Sequence, residues 1–186
     1  MTDQKTNRPS SYSRIAIVTG ASSGIGEATA RKFIAGGYGV IGNARNAEKL
    51  SELEKELGQA FFGLAGDATD SATLDRLFAA AIERFGKPAD IVVANAGRGL
   101  GGSVKDADLS TFEEILKLNV TGTLDLLQKA ARNMVDGQPS DYPKRAADIV
   151  IVGSVVGRHI SPFSAVYGAT KFAVHALAEG LRRRPR

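Results

Sequence analysis

The chain has 186 residues, 43% of them hydrophobic, which is enough for one well-buried domain and short for two. It contains no cysteine, which removes disulfides, thiolate nucleophiles and cysteine-ligated metals and suits a reducing, cytoplasmic setting, and no apolar run is long enough to span a bilayer. The net charge of +4 equals the charge carried by Arg182, Arg183, Arg184 and Arg186, so the body is close to neutral and lacks the basic face that a nucleic-acid partner requires.

Residues 1–13 are polar, carry no apolar signal-peptide core and are expected to form a flexible tail, with 14–186 as a single domain. From there short β-branched or apolar runs alternate with longer helical patterns, the signature of a parallel sheet with helices on its faces. Strands are expected at Arg14–Thr19, Tyr38–Asn43, Ala60–Ala65, Ile91–Asn95 and Asp148–Gly153, and helices over 24–36, 46–57, 71–85, 110–135 and 165–183. Ser110-Thr-Phe-Glu113 has the form of a capping box and is expected to open the fourth helix. The stretch 136–145 is polar, holds Pro139 and Pro143, and reads as an exposed loop of no assigned role.

The first strand runs into Thr19-Gly-Ala-Ser-Ser-Gly-Ile-Gly26, which then opens the first helix. Gly20, Gly24 and Gly26 permit a tight turn, and with Ser22, Ser23 and Ile25 they let backbone N–H groups and the positive helix end approach a pyrophosphate. A glycine-rich turn with no ligand is the competing reading. Gly97-Arg-Gly-Leu-Gly-Gly102 has similar glycine spacing but leads into no helix, and reads as a flexible loop near the site.

The end of the second strand selects between nicotinamide cofactors, because a carboxylate there binds the ribose 2′-OH and repels a 2′-phosphate. Here Ala44 takes that position and Arg45 follows, so the sequence favours NADP over NAD, with Arg45 as a merely solvated charge the alternative.

Tyr167 and Lys171 stand four residues apart and share one face of a helix. A phenol ordinarily holds its proton to a pH of about 10, and a fixed positive neighbour brings its ionisation toward neutrality, which makes the pair a proton-transfer device. His159 and His175 are the two histidines of the chain. They are too few for a metal site without carboxylates at ligand spacing, so no metal is expected and packing or surface roles are expected for His175.

With these residues in hand, the chain resembles the short-chain dehydrogenase/reductase family from Arg14 to Leu181. Thr19 to Gly26 is similar to the family's glycine motif, Asp67-Ala68 to its adenine-contacting pair and Ala94-Asn95-Ala96-Gly97 to its Asn-Ala-Gly element. Ser154, Tyr167 and Lys171 match its catalytic positions, and Asn119 falls where the family places a fourth. The resemblance implies a doubly wound Rossmann sheet in three α/β/α layers and hydride transfer between a nicotinamide cofactor and a carbonyl or alcohol. In that chemistry Tyr167 would exchange the proton, Lys171 would assist it and hold the ribose, Ser154 would orient the substrate oxygen, and Asn119 would position a water leading to Lys171. Taken singly, each of the four residues has a structural alternative, whether as strand end, helix cap or amphipathic pair.

Two enzyme rivals fail. A serine hydrolase elbow needs glycines flanking the nucleophile at two residues on either side, where Val152 and Val156 stand. The cofactor-free dehalogenase branch of the fold replaces the lysine with arginine and loses the glycine loop, both of which are intact here. Members of the family continue past this helix into two more strands and a substrate-covering flap, so the sheet is expected to lack its usual last two strands. A non-catalytic NADP-binding protein or inactive fragment therefore stands as the alternative function. The family is commonly dimeric or tetrameric through helices equivalent to 110–135 and 165–183, and a homo-oligomer is expected if the complete fold is present.

Overall fold

A computed structural model describes residues 12–136 and 146–183. The expected tail over 1–13 and loop over 136–145 lie almost wholly outside these residues. The strands are β1 (Ile15–Thr19), β2 (Gly39–Ala44), β3 (Phe61–Ala65), β4 (Ile91–Ala94) and β5 (Asp148–Ile151). The helices are α1 (Gly24–Ala35), α2 (Ala47–Leu57), α3 (Ser71–Phe85), α4 (Leu109–Leu116), α5 (Thr123–Ala131) and α6 (Ala165–Arg182). All strand pairs are parallel and the sheet order is β3-β2-β1-β4-β5. The order reverses between β1 and β4, so their carboxyl ends open the crevice where sheets of this kind bind ligands.

The pleat divides the core into two. Ile15, Ile17, Ile41, Val92 and Ala94 face α3 and α5, packing on Leu74, Leu77, Phe78, Leu126 and Ala130, while Ala16, Val18, Val40, Ile91 and Val93 pack on the other side with Ala30, Leu50, Leu53 and Phe61. The central strands are buried on both faces, which is why they read as continuous apolar runs rather than alternating ones. Each fully buried Leu or Ile here contributes about 1.5–3 kcal/mol of burial. At the opposite end of the strands, Arg14 ties β1 to β5 through Asp148 at 2.7 Å and the carbonyl of Ala146 at 2.9 Å.

β5 differs from its neighbours. It is bonded to β4 alone in this sheet, and its residues alternate between exposed and half-buried. Among the described residues, no helix is long and apolar enough to cross a membrane.

Two expectations need correction. The fourth helix is capped by Asp108, which accepts from the Thr111 N–H at 2.7 Å, and Ser110 lies inside the first turn, where its hydroxyl donates to Asp108. The capping-box pattern misleads because the aspartate two residues earlier reaches the free N–H groups first. The expected helix over 110–135 is also not uniform, since α4 and α5 are joined by a π turn at Lys117–Gly122 and a second π turn follows at Arg132–Asp136.

Candidate active site and cofactor cleft

The glycine turn is built by contacts that side chains would forbid. Gly20 and Gly24 adopt φ of 68° and 56°, and a Cβ added at Gly26 would stand 2.2 Å from the carbonyl oxygen of Gly20. Asn95 braces the same turn, donating to the carbonyls of Thr19 at 2.9 Å and Gly20 at 3.3 Å. Thr19 completes the brace, its hydroxyl oxygen accepting from the N–H groups of Asn95 and Ala96, each at 3.1 Å. Sequence reasoning took Thr19 as the start of a motif and missed this role, because its partners lie just past β4, 76 and 77 residues away.

Asn46, Asp70 and Asp108 cap α2, α3 and α4 with their side chains, whereas Ser23 leaves α1 without a side-chain cap. Its first N–H groups therefore face the turn, and the exposed segment Ser23-Gly24-Ile25 leaves room beside them. A pyrophosphate fits this cradle of open N–H groups and absent side chains.

Ala44 ends β2 almost buried, and the exposed Arg45 makes no hydrogen bond or ion pair with the described residues. Asp67, exposed after β3, bonds the N–H of Thr69 at 2.8 Å, and Ala68 packs its carbonyl against Gly122 on the first π turn. Nearby, the buried Asn43 donates to the carbonyls of Leu64 and Gly66, while its own Oδ1 has no hydrogen-bond partner.

Across the crevice, α6 brings Tyr167 and Lys171 together on one face. Lys171 Nζ lies 5.9 Å from the centre of the Tyr167 ring and donates to the Val152 carbonyl at 2.8 Å, which ties it to the strand end that leads to Ser154. Lys171 is only 7% exposed, and burial pushes its ammonium below the usual lysine range. Asn119, fully buried on the first π turn, donates to the Arg98 carbonyl and the Thr170 hydroxyl and accepts from the Arg98 N–H. Its side-chain oxygen and Lys171 Nζ converge on Gly97, at 3.2 and 3.7 Å from where a Cβ would stand. Tyr167, Lys171, Asn119 and the loop from Gly97 thus form one cluster, and π turns of this kind recur at functional sites.

Ser154 sits just past β5 and accepts a long bond of 3.4 Å from the Val156 N–H, capping the 3-10 turn Val155–Gly157. It lines an open cavity of about 490 Å³ with Arg158, His159 and His175. His175 packs its ring against Gly153 and Gly157. The loop Gly97–Gly102 leads into no helix before Leu109, and it is anchored at its end by the Gly102 N–H bonding the Phe163 carbonyl at 2.8 Å. No group of three or more metal-ligating side chains occurs among the described residues.

A family model described as short chain dehydrogenase matches residues 14–185. The chain is 34% identical over 170 residues to an uncharacterized oxidoreductase of Staphylococcus epidermidis, covering 91% of this chain and 70% of the other. It is 35% identical over 167 residues to the serine 3-dehydrogenase of Agrobacterium fabrum, covering 89% and 64%. Among solved structures, it matches a short chain dehydrogenase/reductase of Burkholderia phymatum in complex with NAD at a TM-score of 0.83 and 29% identity, covering 94% of this chain and 60% of that one. The closed form of serine dehydrogenase complexed with NADP+ matches at a TM-score of 0.81 and 31% identity, covering 90% and 65%.

Proposed function

Because the chain belongs to the short chain dehydrogenase family of oxidoreductases, we propose that it interconverts a carbonyl and an alcohol of the ketone, aldehyde or hydroxy-acid kind with NADP(H). The observation that carries this reading is the buried Lys171 ammonium set against Tyr167 within the cluster of Asn119 and Gly97.

In this reading the nicotinamide, when bound, supplies or accepts the hydride. Tyr167 gives its phenolic proton to the carbonyl oxygen in the reductive direction and takes it back in the oxidative one. Lys171 lowers the cost of the phenolate and would hold the nicotinamide ribose hydroxyls. Ser154 orients the substrate oxygen by hydrogen bonding, and Asn119, whose side-chain amide is spent on Arg98 and Thr170, acts by holding the site's shape and a water path to Lys171. Gly20, Ser22, Ser23, Gly24, Ile25 and Gly26 would hold the pyrophosphate, Asp67 and Ala68 would contact the adenine, and the backbone of Asn95, Ala96 and Gly97 would close the cleft.

Similarity supports a nicotinamide cofactor in general, since one structural neighbour holds NAD and another NADP+. The preference for NADP rests on Ala44 and Arg45. The serine 3-dehydrogenase relative supports a small polar alcohol as substrate. A cytoplasmic homo-oligomer completes the proposal.

The test is NADPH consumption against a panel of small ketones, aldehydes and 3-oxo acids, with binding measured by calorimetry. Tyr167→Phe is expected to lower kcat by about 10²–10⁴-fold while leaving the NADPH Kd within about twofold. Unchanged turnover refutes the proton-donor role, and NADPH binding without any turnover in the wild type favours a non-catalytic NADP-binding protein.

A further inference from the structure

We propose that Thr170 is a positioning residue of this site, joining Asn119 to the turn of α6 that carries Tyr167 and Lys171; the inference rests on the carbonyl–alcohol reading above.

Thr170 is fully buried between the two residues of the proton-transfer pair. Its hydroxyl donates to the Tyr167 carbonyl at 2.8 Å and accepts from Asn119 Nδ2 at 3.1 Å. The first bond alone is the local back-bond common for threonine in helices. The second is not local, because Asn119 lies 51 residues away on the π turn. A hydroxyl has one proton, and here the Tyr167 carbonyl takes it, so only a lone pair is left to face Asn119. That fixes which end of the Asn119 carboxamide points at α6.

The opposite side of the same amide is gripped by the backbone of Arg98, through its N–H and its carbonyl, both at 2.9 Å. Three separate elements, the loop after β4, the π turn and α6, therefore meet in one amide and one hydroxyl. Both Asn119 Oδ1 and Lys171 Nζ pack on Gly97 in that loop, so a shift of α6 relative to the π turn changes the setting of Lys171. Valine has the shape of threonine and can make neither bond, whereas serine can make both.

The experiment compares wild type, Thr170→Val and Thr170→Ser in steady-state turnover and in hydrogen exchange of the Asn119 side-chain amide by NMR. Thr170→Val is expected to lower kcat by about tenfold, in line with displacement of a reacting group, with the substrate KM within about twofold. Thr170→Ser is expected to restore kcat to within about twofold. Normal turnover in Thr170→Val, or equal damage in Thr170→Ser, overturns the proposal. If Thr170→Val does not fold, the Thr170→Ser and Thr170→Cys pair decides, because the two match in shape and differ in hydrogen-bond strength. Slower turnover with cysteine supports the proposal, and equal rates overturn it. If the wild type reduces no carbonyl, the activity reading fails by itself and the exchange measurement judges the coupling. The Asn119 amide protons are expected to be protected in wild type and Thr170→Ser and to lose protection in Thr170→Val; unchanged protection in Thr170→Val overturns the coupling.

Discussion

Replacing Gly26 by alanine adds one methyl group at the most crowded point of the glycine turn, which we propose holds the cofactor. The new Cβ would stand 2.2 Å from the Gly20 carbonyl oxygen, 2.5 Å from Asn95 Nδ2 and 2.8 Å from the Gly20 carbonyl carbon, against 3.4 Å for ordinary contact. The first and third are backbone atoms of the turn itself. The second belongs to a side chain already bonded to the carbonyls of Thr19 and Gly20, so it cannot swing away without releasing them. The turn must open by about 1 Å, and inserting a methyl group into packing of this density costs about 1–3 kcal/mol. A displacement of about 1 Å at a positioning element is also enough to slow turnover by on the order of 10²-fold. Thermal denaturation with calorimetric NADPH titration measures both effects. Gly26→Ala is expected to melt at lower temperature and to bind NADPH at least about tenfold more weakly, a loss of about 1.4 kcal/mol. A variant with wild-type melting temperature and Kd would show that the turn yields freely and that its crowding is irrelevant to the cradle.

Cofactor choice tests Ala44 and Arg45. The double variant Ala44→Asp/Arg45→Ala should move the ratio of NADP to NAD affinity toward NAD by about 10- to 100-fold, the value of one or two charge-assisted hydrogen bonds, and an unchanged ratio would remove Arg45 from the site. The α4 cap tests the corrected helix start. Hydrogen bonds from Ser110 and Thr111 hold the Asp108 carboxyl down at about 2, from an ordinary 3.8, so its contribution is present above 3.8 and is lost as the pH falls through about 2. Asp108→Ala is expected to lower the melting temperature at neutral pH more than Ser110→Ala does, with the gap closing as acid is added. A gap independent of pH would mean that the carboxylate does not supply the cap.

Much of the fold was legible because its signals are local. The β-branched or apolar runs place every strand to within two residues of its ends, most plainly for the fully buried β1, β2 and β4, whose apolar composition is continuous. The glycine spacing of 20, 24 and 26 and the four-residue step from Tyr167 to Lys171 are readable for the same reason, each being a constraint within one turn. The site's internal wiring was not legible. Asn95 reaches Thr19 across 76 residues, and Asn119 reaches Thr170 across 51, so neither bond leaves a trace in the neighbouring sequence. The π turn was hidden differently. Its residues carry helical propensity, and a period of 3.6 fitted over the whole of 110–135 averages the wider turn away. The cap was misplaced at Ser110 because only the path of the loop into the helix shows that Asp108 reaches the Thr111 N–H.

The π turn at Lys117–Gly122 also bears on how such a chain can change over generations. A wider turn is the form a helix takes when one residue is inserted and the flanking turns stay wound. Removing one residue there would restore the regular α-helical repeat, and because the wider turn alone absorbs the extra residue, α5 downstream would keep its facing. Leu126, Leu127 and Ala130 would stay in the core, whereas Asn119, inside the turn, would leave the place where it bonds both Arg98 and Thr170. A deletion at this turn would therefore spare the core packing and fall on the setting of Asn119. The length of this turn in related chains is a mark of that setting, which sequence alignments should preserve.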